Sequence, residues 1–355
     1  MAGGVGGGKP PVAGPPRRGP IGCGRRVAAL FPKPGLETGA VKWHKSLLME
    51  DFAPRGDLID SDRLEQLLER SDLRGGLQLV VHLVLLIATG VAVFEAVGTP
   101  WLIPAMIPYG VVLVFLFAPL HEAIHGTAFK NRGVNETVAW LAAFVLVLPP
   151  HYFRLFHFTH HRSTQDVDYD PELLIAQPEG LIGYLWHVSG LPYWGGRLWT
   201  TLGHAATGGT DEFFIPTKAR RRVVAEARVL WAGYVIAAAV SWYFDSLALV
   251  TYWIGPALLG QPFLRLFLMA EHTGCPRTDD MLESTRTTQS NFIVRALAWN
   301  MPYHTAHHLF PAVPFFALGK LNAELRDRLR AVGSGYFAFH RDLVARLRSQ
   351  SPKAS

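Results

Sequence analysis

The sequence predicts an all-α integral membrane protein. Four transmembrane helices in two hairpins are expected to carry a cytoplasmic helical cap rich in histidine. Three observations predict this. Hydrophobic residues make up 49% of the 355-residue chain and charged residues only 17%. Four apolar runs each approach the ~20 residues that cross ~30 Å of hydrocarbon as a helix. Finally, no Lys or Arg occurs from Gly75 through Leu120 or from Val229 through Leu264. A soluble protein with four buried helices has no reason to sort its cations in this way.

Along the chain, residues 1–40 are a Gly/Pro/Arg-rich stretch with no periodic apolar face and are expected to be a disordered tail. It has no apolar core of the kind a cleaved secretory signal requires. Residues 41–76 form a cytoplasmic amphipathic segment. Within it Ser61 or Asp62 is expected to cap a short helix with the stripe Leu64, Leu67 and Leu68, and Gly75-Gly76 to end it. The membrane domain is expected over 77–340, with spans near 77–97, 101–120, 229–246 and 247–270. A polar C-terminal tail is expected over 341–355. The loops inside each pair of spans are short, which makes two hairpins. All 34 Lys and Arg then share one side with both termini, and by the positive-inside tendency that side is cytoplasmic.

A fifth apolar piece, 137–150, is short for a span and ends in Pro149-Pro150, so a re-entrant, interfacial or core role is expected. Residues 181–204 carry Tyr184, Trp186, Tyr193, Trp194 and Trp199, which favour the headgroup level. The net charge of +6 reflects this membrane sorting and does not point to nucleic acid. Cys23 and Cys275 form neither a C-x-x-C pair nor a disulfide framework.

Histidine carries the chemistry. Eight of the fifteen fall into "HEAIH" (121–125), "HFTHH" (157–161) and "HTAHH" (304–308), and "EHTG" adds His272 after the fourth span. With an even number of spans, all of these reach one membrane face. Helical residues three or four apart are neighbours, so His121 with His125, and His157 with His160 or His161, can share a metal. Adjacent residues differ by about 100° around the axis. His160 and His161 therefore suit two neighbouring ions, as do His307 and His308. Imidazole suits Zn, Cu, Fe and Ni. Nine rings are too many for a zinc that takes about four ligands, but they fit two irons. Carboxylates and amides that hold the outer ring nitrogens are expected among Glu122, Asp166, Asp168, Asp170, Glu172 and Asn300.

These boxes, in this order and with membrane hairpins between them, resemble the membrane fatty acid desaturase superfamily of non-haem di-iron enzymes. The likeness spans about 77–325, and "NMPYHTAHHLFPAVPFFAL" resembles the third box with its flanking prolines. It implies that His121, His125, His157, His160, His161, His272, His304, His307 and His308 bind two Fe ions. The family's upstream histidine is matched by His272. In the acyl-CoA branch an Asn four residues earlier binds a metal-bound water. Here that position is Leu268, which leaves Glu271 as a candidate for the place.

The implied activity is O₂-dependent insertion of a double bond into a lipid acyl chain, since an unactivated methylene yields only to redox-metal chemistry. Hydroxylation or carotenoid ketolation on the same architecture is the alternative. A metal transporter would place ligands at the bilayer midplane, and a zinc hydrolase would need about three. No fused cytochrome b5, flavin or nicotinamide signature is visible, so electrons are expected from a separate ferredoxin or cytochrome b5. The basic stretch 218–228 reads first as an anchor to anionic lipids and second as a docking site for an acidic donor. A bacterial inner membrane is the expected location. The bland reading covers His44, His151, His187, His204 and His340 as satisfied or solvated rings, with His82 left unassigned. Glu95 is expected among headgroups, Trp299, Tyr303 and Phe315-Phe316 in packing, and Arg162 beside a carboxylate.

Overall fold

A computed structural model describes residues 58–175 and 177–350, so the expected tail over 1–40 and His44 lie outside the described residues. The first helix, α1 (Ser61–Leu67), is capped one residue earlier than expected. Asp60 accepts hydrogen bonds from the amides of Asp62 and Arg63. Gly75-Gly76 do not end it. Both lie inside α2 (Asp72–Ala96), whose start is capped by Ser71. Packing explains Gly75, because a Cβ there would lie 2.1 Å from the Ala128 carbonyl oxygen. The glycine admits a close backbone approach, whereas at Gly76 a Cβ would meet nothing.

Leu73, Leu77, Val80, Ile87 and Phe94 of α2 are all exposed. A helix that is apolar all round belongs in a buried or lipid environment. Next, α3 (Leu102–Val114) runs through a brief break into α4 (Phe117–His125). Together they form one apolar stretch, Leu102–His125. Gly126, with φ of 72°, is left-handed and ends α4 directly after the first histidine box.

The fifth apolar piece does not run straight. Helix α5 (Arg132–Leu146), capped by Asn131, and α6 (Pro150–Arg162) meet at a 95° bend. The bend falls where Val147 is left-handed and Pro149-Pro150 break the ladder. A 3₁₀ turn, Pro171–Leu174, is capped by Asp170 and leads to α7 (Gly180–Val188) and α8 (Leu191–Thr207). Trp186 and Trp199 are exposed there as expected for a headgroup-level segment, but Tyr184 and Trp194 are buried in packing.

Helix α9 (Arg220–Tyr243) is followed by one π-helical turn, Val250–Ile254, and by α10 (Gly255–His272). Four helices, Asp72–Ala96, Leu102–His125, Thr217–Tyr243 and Val250–His272, are long and apolar enough to cross a membrane, the number the sequence predicts. Their tightest joint is between α3 and α10. A Cβ on Gly110 would lie 2.0 Å from the Pro256 carbonyl oxygen, and one on Gly260 would lie 2.1 Å from that of Gly110. Small residues let these backbones touch, the usual device where lipid removes the hydrophobic drive for helix association. Helix α9 packs mainly against α8, and α10 against α3.

The rest of the chain is built of short elements. Helices α11 (Met281–Ser284), α12 (Phe292–Leu297), α13 (His304–Leu309) and α14 (Phe315–Glu324) follow one another. Two short parallel strands, β1 (Thr287–Thr288) and β2 (Val332–Gly333), tie the segment after α10 to the start of α15 (Tyr336–Gln350). The expected polar tail is thus helical through Gln350, with Leu343 and Leu347 buried. The main core joins α4, α5, α13 and α14 and includes the fully buried Leu120, Leu146, Trp299, Leu318 and Leu321. Burying each such side chain stabilises the fold by roughly 1.5–3 kcal/mol relative to exposure.

Candidate metal centre

The nine nominated histidines come together from four helices. Helix α4 presents His121 and His125, α6 presents His157, His160 and His161, α10 ends on His272, and α13 presents His304, His307 and His308. They sort into two groups in which the ligand atoms all lie within 4.8 Å of one another. One group is His121, His125, His157, His161 and His307; the other is His160, His272, His304 and His308. Each adjacent pair is divided between the groups. His160 and His161 go to different groups, as do His307 and His308. The helical angle between neighbours dictates that division. Across it the rings of His161 and His308 stack, with centroids 4.1 Å apart.

The contacts suit metal ligation. Nε2 of His161 lies 2.9 Å from Nε2 of His157 and 3.1 Å from that of His307. In the second group, Nε2 of His272 lies 3.2 Å from that of His160 and 3.1 Å from that of His304. Two nitrogens each about 2.1 Å from one ion and at right angles would be about 3 Å apart. Nε2 of His125 and of His308 is buried with no hydrogen-bond partner, an arrangement disfavoured without a ligand. Burial, reinforced by the neighbouring rings, pushes His304, His307 and His308 well below the ordinary histidine range. These rings are therefore neutral at physiological pH, the form that binds metal.

The outer ring nitrogens separate the expected carboxylates. Only one of the three aspartates after the second box reaches a ring. His160 Nδ1–H donates to Asp170 Oδ1 at 2.9 Å. Asp170 is buried and also accepts from the Gln165 and Glu172 amides at 2.8 and 2.9 Å. Burial works to raise its pKa, but the His160 ring and these amides prevail and hold it below the usual range. Asp166 accepts instead from the amides of Asp168 and Tyr169, and Asp168 is exposed. Glu122 is fully buried but accepts from the Thr127 hydroxyl at 2.7 Å and the Phe315 amide at 3.2 Å. Asn300 donates to the Phe315 carbonyl. Glu122 and Asn300 thus brace the loop before α14, away from the rings' outer nitrogens.

Three partners were not assigned from sequence. His272 Nδ1–H donates to the Ser284 carbonyl at 3.0 Å. The Thr164 hydroxyl lies 3.1 Å from His308 Nδ1. Glu271 Oε1 lies 3.4 Å from His304 Nδ1, so it faces a ligand ring and orients it electrostatically. Glu172 Oε2 is 3.8 Å from His160 Nε2.

Three of the remaining histidines have partners within the protein, whereas His151 Nδ1 is buried without one. His82 donates to the Val112 carbonyl at 3.0 Å, His204 to Glu212 at 2.7 Å, and His340 to the Leu266 carbonyl at 2.8 Å. Trp299 and Phe315 are buried against each other, and Glu95 is exposed. Arg162 donates to the Thr159 hydroxyl. In the basic stretch, Arg222 pairs with Glu226, whereas Lys218, Arg220 and Arg221 are exposed.

Beside the rings lies a cavity of about 150 Å³. His121, His157, His272 and His304 form part of its wall, with Phe115, Phe117, Phe153, Phe267 and Leu268 around them. Such a lining removes water from a reacting centre and accepts an apolar chain.

Comparison with known proteins agrees with this geometry. The fatty acid desaturase family matches residues 98–340. The chain is 28% identical over 253 residues to a dihydrorhizobitoxine desaturase of Bradyrhizobium elkanii, covering 66% of this chain and 70% of that one. It is 24% identical over 236 residues to an sn-1 acyl-lipid omega-3 desaturase (ferredoxin) of Synechocystis, with 62% and 66% covered. To an sn-1 oleoyl-lipid 12-desaturase of Picosynechococcus it is 24% identical over 249 residues, with 64% and 70% covered. The chain thus spans about two thirds of the length of these relatives.

Proposed function

The chain belongs to the fatty acid desaturase family, and from that premise we propose that its nine convergent histidines hold two irons in a membrane oxidoreductase that desaturates lipid acyl chains. The observation that carries this is the sorting of the rings into two groups beside one apolar cavity. Two irons, supplied with O₂ and two electrons, provide the oxidising power that an unactivated C–H bond requires. Overall, a –CH₂–CH₂– unit, O₂, two electrons and two protons give –CH=CH– and two waters.

The chain's own residues do the rest. Burial keeps the rings of His304, His307 and His308 neutral. Asp170 and the Ser284 carbonyl hold His160 and His272 by their outer nitrogens, and the Glu271 carboxylate faces that of His304. The phenylalanine wall seats the acyl chain and excludes water. Nothing favours hydroxylation or ketolation, and the relatives described above are all named desaturases.

In this reading the four spans form two hairpins in a bacterial inner membrane, with the termini and boxes cytoplasmic. The absence of Lys and Arg from both hairpin tips supports it. So does the position of the rings at span ends and not at mid-span. Electrons come from a separate ferredoxin or cytochrome b5, and a ferredoxin is supported by one relative's name.

The test is expression in a host whose lipids lack polyunsaturated chains, followed by lipid analysis and iron measurement on purified protein. New double bonds and about two irons per chain are expected, and His161→Ala and His307→Ala should each abolish the double bonds and lower the iron content. An iron-free protein, or product formation that survives those substitutions, overturns the proposal.

A further inference from the structure

The cavity has a second wall of different chemistry. Arg265 of α10 and Arg197 of α8 both line it. Arg265 precedes His272 by seven residues, a rise of roughly 10 Å along one face of the same helix. Both guanidinium groups address one ring. Arg265 Cζ lies 4.4 Å from the Tyr193 centroid and Arg197 Cζ lies 5.7 Å from it. Arg197 also sits over Tyr152 and Phe156, at 5.5 and 5.8 Å. These aromatic faces hold two like charges together against their repulsion.

Neither arginine forms an ion pair among the described residues, and Nε of Arg265 is buried without a hydrogen-bond partner. Elsewhere Arg154, Arg222 and Arg330 each pair with a carboxylate. The acidic groups near Arg265 are Glu172 and Glu271, and the one near Arg197 is Glu212, which is engaged by His204. Glu172 is turned toward the His160 ring and Glu271 toward that of His304. Two cations without an ion pair, one of them with a buried donor that has no partner, stand in a cleft whose acids Glu172 and Glu271 face the histidine rings, and leave a charge that a ligand can answer. Arginine's planar fork matches phosphate and carboxylate in particular.

We propose that Arg197 and Arg265 hold the anionic head of the acyl substrate, a phosphate or a carboxylate, at one end of the cavity whose other end is the histidine rings. With the head fixed, the length of chain between it and the rings sets which methylenes are oxidised. The proposal rests on the desaturase reading for the identity of the chain, but the binding of an anionic amphiphile does not depend on turnover.

The test uses the iron-loaded full chain in a neutral maltoside detergent. Radiolabelled dodecyl phosphate, dodecanoate and dodecanol are compared by equilibrium dialysis. One or both anions are expected to bind more tightly than dodecanol, and their ratio tells a phosphate head from a carboxylate head. Arg265→Gln and Arg197→Gln should each weaken anion binding about tenfold or more, the effect of losing charge-assisted hydrogen bonds. Dodecanol binding should not move, and Arg265→Lys should recover part of the loss.

Equal binding of anions and dodecanol to the unaltered protein overturns the proposal. So does unchanged anion affinity in both Gln variants. If Arg265→Gln fails to fold, judged by circular dichroism and iron content, Arg197→Gln and Arg265→Lys decide alone. Anion binding by a protein that desaturates nothing would count against the catalytic reading and leave this site standing.

Discussion

Replacing Asp170 by Asn is expected to release metal from the four-histidine group while the five-histidine group keeps its own. Asp170 is only 3% exposed. Its Oδ1 accepts from His160 Nδ1 at 2.9 Å and from the Glu172 amide at 2.9 Å, and its Oδ2 accepts from the Gln165 amide at 2.8 Å. Asn keeps the shape but removes the charge. A hydrogen bond to a charged group contributes about 1.5–3 kcal/mol, which is about 10- to 150-fold in an equilibrium constant. Outer partners of metal ligands typically change affinity by about 10- to 100-fold, so the two estimates agree. The assay is dialysis of iron-loaded protein against graded chelator, with iron per chain measured by mass spectrometry and the fold checked by circular dichroism. The variant should lose one iron equivalent at roughly 10- to 100-fold lower chelator than the unaltered protein. Asp166→Asn and Asp168→Asn are the controls, because their carboxylates reach no ring, and both should retain iron. Equal retention by Asp170→Asn, or equal loss in the Asp168 control, would refute the reasoning.

Glu271→Gln should weaken iron retention in the same assay by less than Asp170→Asn, because its oxygen stands 3.4 Å from His304 Nδ1, beyond a good hydrogen bond; an effect as large as that of Asp170→Asn would count against this. Gly260→Ala should destabilise the fold by about 1–3 kcal/mol or more through overpacking, since its Cβ would meet the Gly110 backbone at 2.1 Å. Gly76→Ala should stabilise α2 by roughly 0.5–1 kcal/mol, since its Cβ would meet nothing; thermal melts in detergent compare the two. In the iron-free protein, burial holds His304, His307 and His308 in the folded state well below the ordinary histidine value of about 6.5. The unfolded chain then binds more protons as pH falls below that value, so stability is retained above about pH 6.5 and lost progressively below it. Melting temperatures at stepped pH should fall in that window, and a flat profile would contradict the buried neutral rings.

Much of the molecule was legible because membrane physics and helical periodicity write themselves in one dimension. Apolar length and the absence of Lys and Arg marked the four helices long and apolar enough to cross a membrane, and the 100° step between neighbours divided His160 from His161. What stayed hidden depends on where distant backbone comes close. Gly75 looks like a helix stop, yet it lies inside α2 because Ala128 and Phe129 press on it. In "DVDYD" every aspartate is a plausible ring partner. The turn that selects Asp170 includes Gln165 in a left-handed conformation, with φ of 66°. No propensity rule places a left-handed residue there. Tyr184 and Trp194 look like headgroup residues, but cap helices bury them, Tyr184 against His340 of α15. Arg265 carried a usable signal. It is the first cation after 36 residues without one, from Val229 through Leu264, and it stands a heptad before His272.

The two histidine groups are built to be unequal, and the inequality lies in their outer contacts as much as in ring number. Three rings of the four-histidine group have an oxygen hydrogen-bonded at the outer nitrogen, and the fourth, His304, has the Glu271 carboxylate 3.4 Å away without a hydrogen bond. Asp170 serves His160, Ser284 serves His272 and Thr164 serves His308. Two of the four oxygens belong to carboxylates. In the five-histidine group, Nδ1 of His121 and of His307 is buried without a hydrogen-bond partner. One group therefore has fewer neutral nitrogens and more nearby negative charge. Anionic outer partners raise the basicity of the rings they hold, which offsets the missing fifth nitrogen. Two of the four rings, His272 and His304, also face the cavity. Substitution of a ring in one group should not mimic substitution in the other. Loss of His125 removes one of five nitrogens, whereas loss of His304 removes one of four and strands Glu271.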